Sequence, residues 1–161
     1  MKQLTEEFFR YCVILSTQEP EMETVCLNGV LEESIAAFYA ALTNRGIQPQ
    51  IHISGKRIDK QLSRKALARV FSNLLNNALK YSDGDLVITL RDNGEITFAN
   101  TVTGLNEIQV GKLFDRFFTV EAARKSGGLG LAISRTLVEQ MGGSICSELS
   151  DHVLSNQIRF P

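Results

Sequence analysis

The chain has no tryptophan, three prolines, three cysteines and two histidines in 161 residues, and each scarcity removes a class of protein. Cys12, Cys26 and Cys146 lie far apart without metal-ligand spacing, and an odd, scattered set points to free thiols in a reducing compartment, not to a disulfide framework. No excess of one charge is present: 17 basic against 18 acidic residues give a net charge of -1. Bulk attraction to nucleic acid or to an anionic membrane is therefore not expected. No apolar run approaches the length that spans a bilayer, and the N-terminus lacks a signal-peptide pattern. With an apolar fraction of 43% and a charged fraction of 22%, the chain reads as one soluble domain with a real core, carrying at most a short helical extension.

Residues 3–17 predict a helix in which Leu4, Phe8, Tyr11 and Leu15 form a short heptad-like seam, closed by Gln18-Glu19-Pro20. A loop is expected to about Asn28-Gly29. A second helix follows over 30–43, with Leu31, Ile35, Phe38 and Leu42 on one face, and Asn44-Arg45-Gly46 ends it. Alternation over 47–53 predicts a strand. Asp59 or Ser63 is placed to cap a long helix that reaches Lys80-Tyr81, and Ser82-Asp83-Gly84-Asp85 turns the chain. Residues 86–90 and 95–99 predict a hairpin across Asp92-Asn93-Gly94. Short helical patches are expected within 101–127, then a helix over 128–141 stopped by Gly142-Gly143, then strands over 144–149 and 153–160. The sum is an α+β protein, a two-layer sandwich with a mixed sheet on three helices.

Three segments carry candidate chemistry. In the long helix, Val70, Phe71, Leu74 and Ala78 share the core face, while Asn73, Asn77 and Lys80 recur at steps of four and three on a polar stripe. Asparagine is a poor helix-interior residue because its side chain competes for backbone hydrogen bonds, so Asn73, Asn76 and Asn77 together ask for a reason. An amide oxygen suits Mg²⁺ and a lysine one turn on suits phosphate; a merely solvated face is the plainer alternative. The second segment, Gly127-Gly128-Leu129-Gly130-Leu131, runs straight into a helix. There the exposed N–H groups and the helix dipole favour an anion, with a tight turn as the alternative. The third, Leu113-Phe114-Asp115-Arg116-Phe117-Phe118, places aromatics of core type just before the glycine segment.

In this order the three segments resemble the ATP-binding catalytic domain of bacterial sensor histidine kinases, within the GHKL ATPases that also include gyrase and the mismatch-repair ATPases. The asparagine helix matches the N box, the aromatic patch the F box and the glycine turn the G2 box. The resemblance covers about residues 60–161. Residues 21–161 are then the ATP-binding domain, and residues 1–20 the end of a dimerising, phosphoacceptor helical hairpin. It implies that Asn77 ligates Mg²⁺, that Asn73 holds phosphates or supports that ligand, and that Lys80 and Tyr81 line the phosphate and ribose side. Gly127, Gly128, Leu129, Gly130 and Leu131 would wrap the triphosphate, residues 119–126 would form the ATP lid, and Arg124 within it is a candidate for reaching the γ-phosphate.

The G1 box departs from the family pattern Asp-x-Gly-x-Gly: the stretch reads Asn100-Thr101-Val102-Thr103-Gly104. Only Gly104 matches, and Asn100 stands where an aspartate normally accepts from the adenine amine. A neutral acceptor in place of a charged one is expected to cost about 1 kcal/mol, or five- to tenfold in ATP affinity. Neither His52 nor His152 has the helical, acid-flanked context of a phosphoacceptor.

What the resemblance implies is a histidine protein kinase module. It takes ATP and Mg²⁺ and serves a phosphoacceptor hairpin and a response regulator, as a cytoplasmic domain of a membrane-anchored receptor. A degenerate docking domain of the same fold and an anti-sigma-type serine kinase are the alternatives.

Overall fold

The computed structural model describes residues 21–102 and 130–161. The described elements are β1 (Glu23–Cys26), α1 (Leu27–Asn44), β2 (Gln48–Ile53), β3 (Asp59–Leu62), α2 (Arg64–Tyr81), β4 (Asp85–Leu90), β5 (Ile96–Thr101), α3 (Gly130–Gln140), β6 (Ser144–Ser150) and β7 (Val153–Arg159). The expected helix over 3–17, residues 103–127 of the stretch expected to hold helical patches and the aromatic cluster at 113–118 lie outside the described residues, while Thr101 ends β5 instead.

Five strands form one mixed sheet in the order β2-β4-β5-β7-β6. Only β2 and β4 run parallel; the other three pairs are antiparallel. Leu86, Ile88 and Leu90 alternate with half-exposed residues along β4, as Ile96, Phe98 and Asn100 do along β5. That period-2 burial fits a sheet with one face on the helices. Phe71 of α2 meets Phe98 of β5 in the core, ring centroids 5.9 Å apart at a tilt of 39°. Edge position explains β2: Ile51 shares the inward parity of Ile88 yet remains 41% exposed, since a sheet edge has covering neighbours on one side only.

The helix ends follow local chemistry. Ser63, not Asp59, caps α2, its Oγ accepting the Ala66 N–H at 3.2 Å, while Asp59 lies in β3 and pairs with Arg57. Both α1 and α3 close in Schellman motifs. Gly46 (φ 82°) and Gly142 (φ 83°) take the left-handed position, Ile47 N–H donates to Leu42 O at 2.9 Å, and Gly143 N–H donates to Val138 O at 2.9 Å. The β4–β5 hairpin turns at Gly94 (φ 91°), as the Asn93-Gly94 pair predicts.

The start of the domain differs from the expected loop. Residues 23–26 are a strand paired with β3, and α1 begins at Leu27. Asn28, read from the sequence as part of a loop, is the staple of this corner. Its Nδ2 donates to Ser54 O (3.1 Å) and Lys56 O (2.9 Å), and its Oδ1 accepts from Ile58 N–H at 2.9 Å. Short strands with one buried residue each, Val25 in β1 and Leu62 in β3, leave almost no periodic signal to read.

Candidate functional site

Helix α2 packs between α1 and α3, and its two stripes separate as the spacing predicts. Val70, Phe71, Leu74 and Ala78 are buried, whereas Asn73, Asn77, Lys80 and Tyr81 are half-buried and Asn76 is exposed. Asn73 Nδ2 donates to the fully buried Ser134 Oγ of α3 at 3.1 Å, a tie between the asparagine helix and the helix that follows the glycines. The Asn77 amide, one turn on, has no hydrogen-bond partner among the described residues. The backbone carbonyl of Lys80 accepts from Arg45 Nη2 at 3.3 Å, which steadies the last turn. Gly130 opens α3 and Leu131 is buried behind it. Gly104, Arg124, Gly127, Gly128 and Leu129 lie outside the described residues, as does the expected lid.

Asn100 ends the row of inward residues on β5 and is buried. Its Nδ2 donates to Thr101 O at 3.3 Å. Val102 is buried with its N–H donating to His152 O at 2.8 Å.

Residues 82–85, whose sequence predicts a simple turn, frame this position. Asp85 Oδ1 accepts from Thr101 N–H at 2.8 Å and Oδ2 from Thr101 Oγ1 at 2.7 Å. Asp83 N–H donates to Thr101 O at 3.0 Å. Ser82 Oγ accepts from the N–H groups of Gly84 and Asp85, both at 3.0 Å, and itself donates to Asp85 O. Burial pushes the Asp85 carboxyl up, but the bonds from Thr101 and Ser82 outweigh it and hold the group below its ordinary value. Three polar residues in four at 82–85 are the only sequence signal, and a Ser-Asp-Gly-Asp run announces a turn far more strongly than a clamp. Ser134 carried no signal at all within an apolar-periodic helix.

The described residues thus include an unpartnered neutral amide and a lysine on α2, a buried amide at the tip of β5, and a helix, α3, tied to α2 through Asn73. The donor set suits a phosphate-bearing ligand: a hard neutral oxygen for a divalent cation, a cation and a helix dipole for anionic oxygens, and a polar acceptor deep in the fold for a base. Among the described residues no group of three or more His, Cys, Asp or Glu gathers to hold a metal by itself.

A family model described as "Histidine kinase-, DNA gyrase B-, and HSP90-like ATPase" matches residues 63–156. Sensor histidine kinase YcbM of Bacillus subtilis is 31% identical over 89% of this chain and 49% of its own length. Sensor protein VanS of Enterococcus faecium is 31% identical over 100% of the chain and 44% of its own length. The chain thus spans about half the length of the curated relatives it matches. Among solved structures, histidine kinase ThkA in complex with response regulator TrrA superposes with a TM-score of 0.83 at 21% identity, covering 99% of this chain and 46% of that one. Full-length ShkA in complex with AMPPNP gives 0.78 at 20% identity, over 96% of this chain and 34% of that one. The matched segment holds the asparagine helix, β4, β5, α3 and all but the last residues of β7. On that coverage the chain belongs to the family of histidine kinase-, DNA gyrase B- and HSP90-like ATPases.

Proposed function

We propose that the chain is the ATP-binding catalytic domain of a sensor histidine kinase. It binds Mg²⁺-ATP across α2 and the start of α3 and presents the γ-phosphate to a histidine on a separate helical hairpin, for transfer onward to a response regulator. The observation that carries this reading is the Asn77 amide, left without a partner on a half-buried helix stripe while Asn73 beside it is tied to α3. Family membership supplies the context, and kinase relatives and structural neighbours support the partners. The parent protein is read as a membrane-anchored receptor with this domain on the cytoplasmic side; among the described residues no helix is long and apolar enough to cross a membrane.

In this reading Asn77 holds the metal and Asn73 braces it. Lys80 and Tyr81 line the phosphate and ribose side, and the backbone of 127–131, with Gly104, encloses the phosphates. Arg124 is the cation for the γ-phosphate, and Asn100 accepts from the adenine amine. Mg²⁺ supplies charge neutralisation on the phosphates. The residues of this chain position and neutralise, and the nucleophile comes from elsewhere.

Calorimetric titration with a non-hydrolysable ATP analogue tests the site directly. Metal-dependent binding is expected, weakened at least tenfold by EDTA or by Asn77→Ala. One observation favours a second reading, a docking domain without turnover: Val102 fills, with a buried side chain, a position where the family has glycine. Absence of binding at millimolar nucleotide would decide for that reading.

A further inference from the structure

The nucleotide reading leaves open how a neutral asparagine selects a base, and the Asp85–Thr101 contacts answer it. An amide presents a donor on one side and an acceptor on the other, so its usefulness depends on which way it is turned. Among the described residues the Asn100 side chain makes one hydrogen bond, from Nδ2 to Thr101 O at 3.3 Å. The opposite orientation would set Oδ1 against that carbonyl, acceptor against acceptor. Fixing Thr101 O therefore fixes the amide, with Nδ2 engaged and Oδ1 left as the acceptor.

Thr101 is fixed at every polar atom it has. Asp85 takes its N–H and its hydroxyl at 2.8 and 2.7 Å, and Asp83 N–H meets its carbonyl at 3.0 Å. Ser82 in turn locks the 82–85 turn that carries both aspartates. That turn begins where α2 ends, one residue after Tyr81. The clamp thus joins the phosphate-side helix to the strand tip that holds Asn100.

We propose that Asp85 is a positioning residue for base selection. Acting through Thr101, it holds the Asn100 amide with Oδ1 as the acceptor, so that the site takes a 6-amino purine nucleotide and rejects a 6-oxo one. The same contacts account for an asparagine at this place, because a carboxylate at position 100 would face Thr101 O on either of its oxygens. The inference rests on the nucleotide reading above, and its test separates the two.

The experiment compares binding of ATP and ITP, which differ in the 6-amino against the 6-oxo group, to the wild-type chain and to Asp85→Ala, Asp85→Asn and Thr101→Val. The wild type is expected to favour ATP about tenfold, the consequence of facing one buried acceptor with another. Asp85→Ala should bring the two nucleotides to within about twofold, mainly through weaker ATP binding. Asp85→Asn retains an acceptor for the Thr101 N–H and gains a donor for its hydroxyl, so it should restore most of the wild-type ratio. Thr101→Val, which loses the hydroxyl bond alone, should fall between, and it carries the test if Asp85→Ala does not fold. A folded Asp85→Ala, or failing that Thr101→Val, with the wild-type ATP-to-ITP ratio overturns the proposal and leaves Asp85 a structural residue. Equal binding of both nucleotides by the wild type overturns it too, while the nucleotide site stands. Binding of neither removes the nucleotide reading and the proposal together.

Discussion

Replacing Asn28 by alanine and by aspartate separates hydrogen bonding from shape at the corner that joins β1, α1 and β3. The native amide gives two bonds to carbonyls, at 3.1 Å (Ser54) and 2.9 Å (Lys56), and takes two, one from Ile58 N–H at 2.9 Å and a weak one from Cys26 Sγ at 3.8 Å. Ser54 is half-buried and Lys56 exposed, so both carbonyls have water within reach once Asn28→Ala removes the donor; Ile58 is buried and its N–H does not. A lost bond costs about 0.5–1.5 kcal/mol and an orphaned buried donor about 1–3 kcal/mol, which puts the alanine variant about 2–3 kcal/mol below the wild type. For a chain of this size that is a fall in Tm of roughly 4–12 °C. Asn28→Asp keeps the shape and the acceptor for Ile58 but turns the second oxygen against two carbonyls. At pH 7 it should cost at least as much as alanine. Repulsion raises the folded pKa of the new carboxyl above its unfolded value. The penalty is therefore fully present at neutral pH and shrinks as pH falls through that raised value, where the protonated oxygen can donate. Urea unfolding at pH 7 and pH 4 reads both effects. An aspartate variant within 0.5 kcal/mol of the wild type at pH 7 would refute the reasoning, since no arrangement of a carboxylate satisfies two acceptors.

Two further outcomes are expected. The Asp85 carboxyl, held below its ordinary value by Thr101 and Ser82, contributes stability that is present above the unfolded pKa of about 3.9 and disappears as pH falls through the lower folded value; urea unfolding between pH 2 and pH 6 should show a shallower acid loss in Asp85→Asn, and an unchanged slope would count against the clamp. At the β6–β7 turn, Asp151 (φ 51°) and His152 (φ 65°) both occupy the left-handed region, so His152→Gly should raise stability by about 1 kcal/mol, with an unshifted or lowered Tm as the contrary result.

What the sequence disclosed and what it withheld divide along the range of the interactions involved. The α2 stripes, the Asn93-Gly94 turn and the glycine stops at Gly46 and Gly142 all depend on residues within five positions of one another, and all are visible in the string. Ser63 and Asp59 competed as caps because both are good N-cap residues; pairing of β3 with β1, a contact between distant segments, decided between them. The same pairing explains the overlooked strands, since Asp-Lys-Gln-Leu has no alternation that marks it as extended. Alternation in β2 was legible, but its place at the sheet edge, which exposes Ile51, was not. At the candidate site the asparagines and glycines announced themselves by being costly where they stand. Asp85, Thr101 and Ser134 are ordinary residues whose roles arise from partners 16 and 61 positions away.

The strand order has a consequence for the chain as it is made. β5 lies at the middle of the sheet, and one of its edges is closed by β7, the last strand in the chain. Between Thr101 and the end of that partner lie the 58 residues from Val102 to Arg159. At ribosomal rates these take roughly 3–12 s to synthesise. For that interval a hydrogen-bonding edge bearing Ile96 and Phe98 has been synthesised and lacks its complement, a surface on which another nascent copy can add. Quality control on this domain thus acts during a window set by topology, and slow synthesis through 102–159 should lower the soluble yield without altering the finished protein.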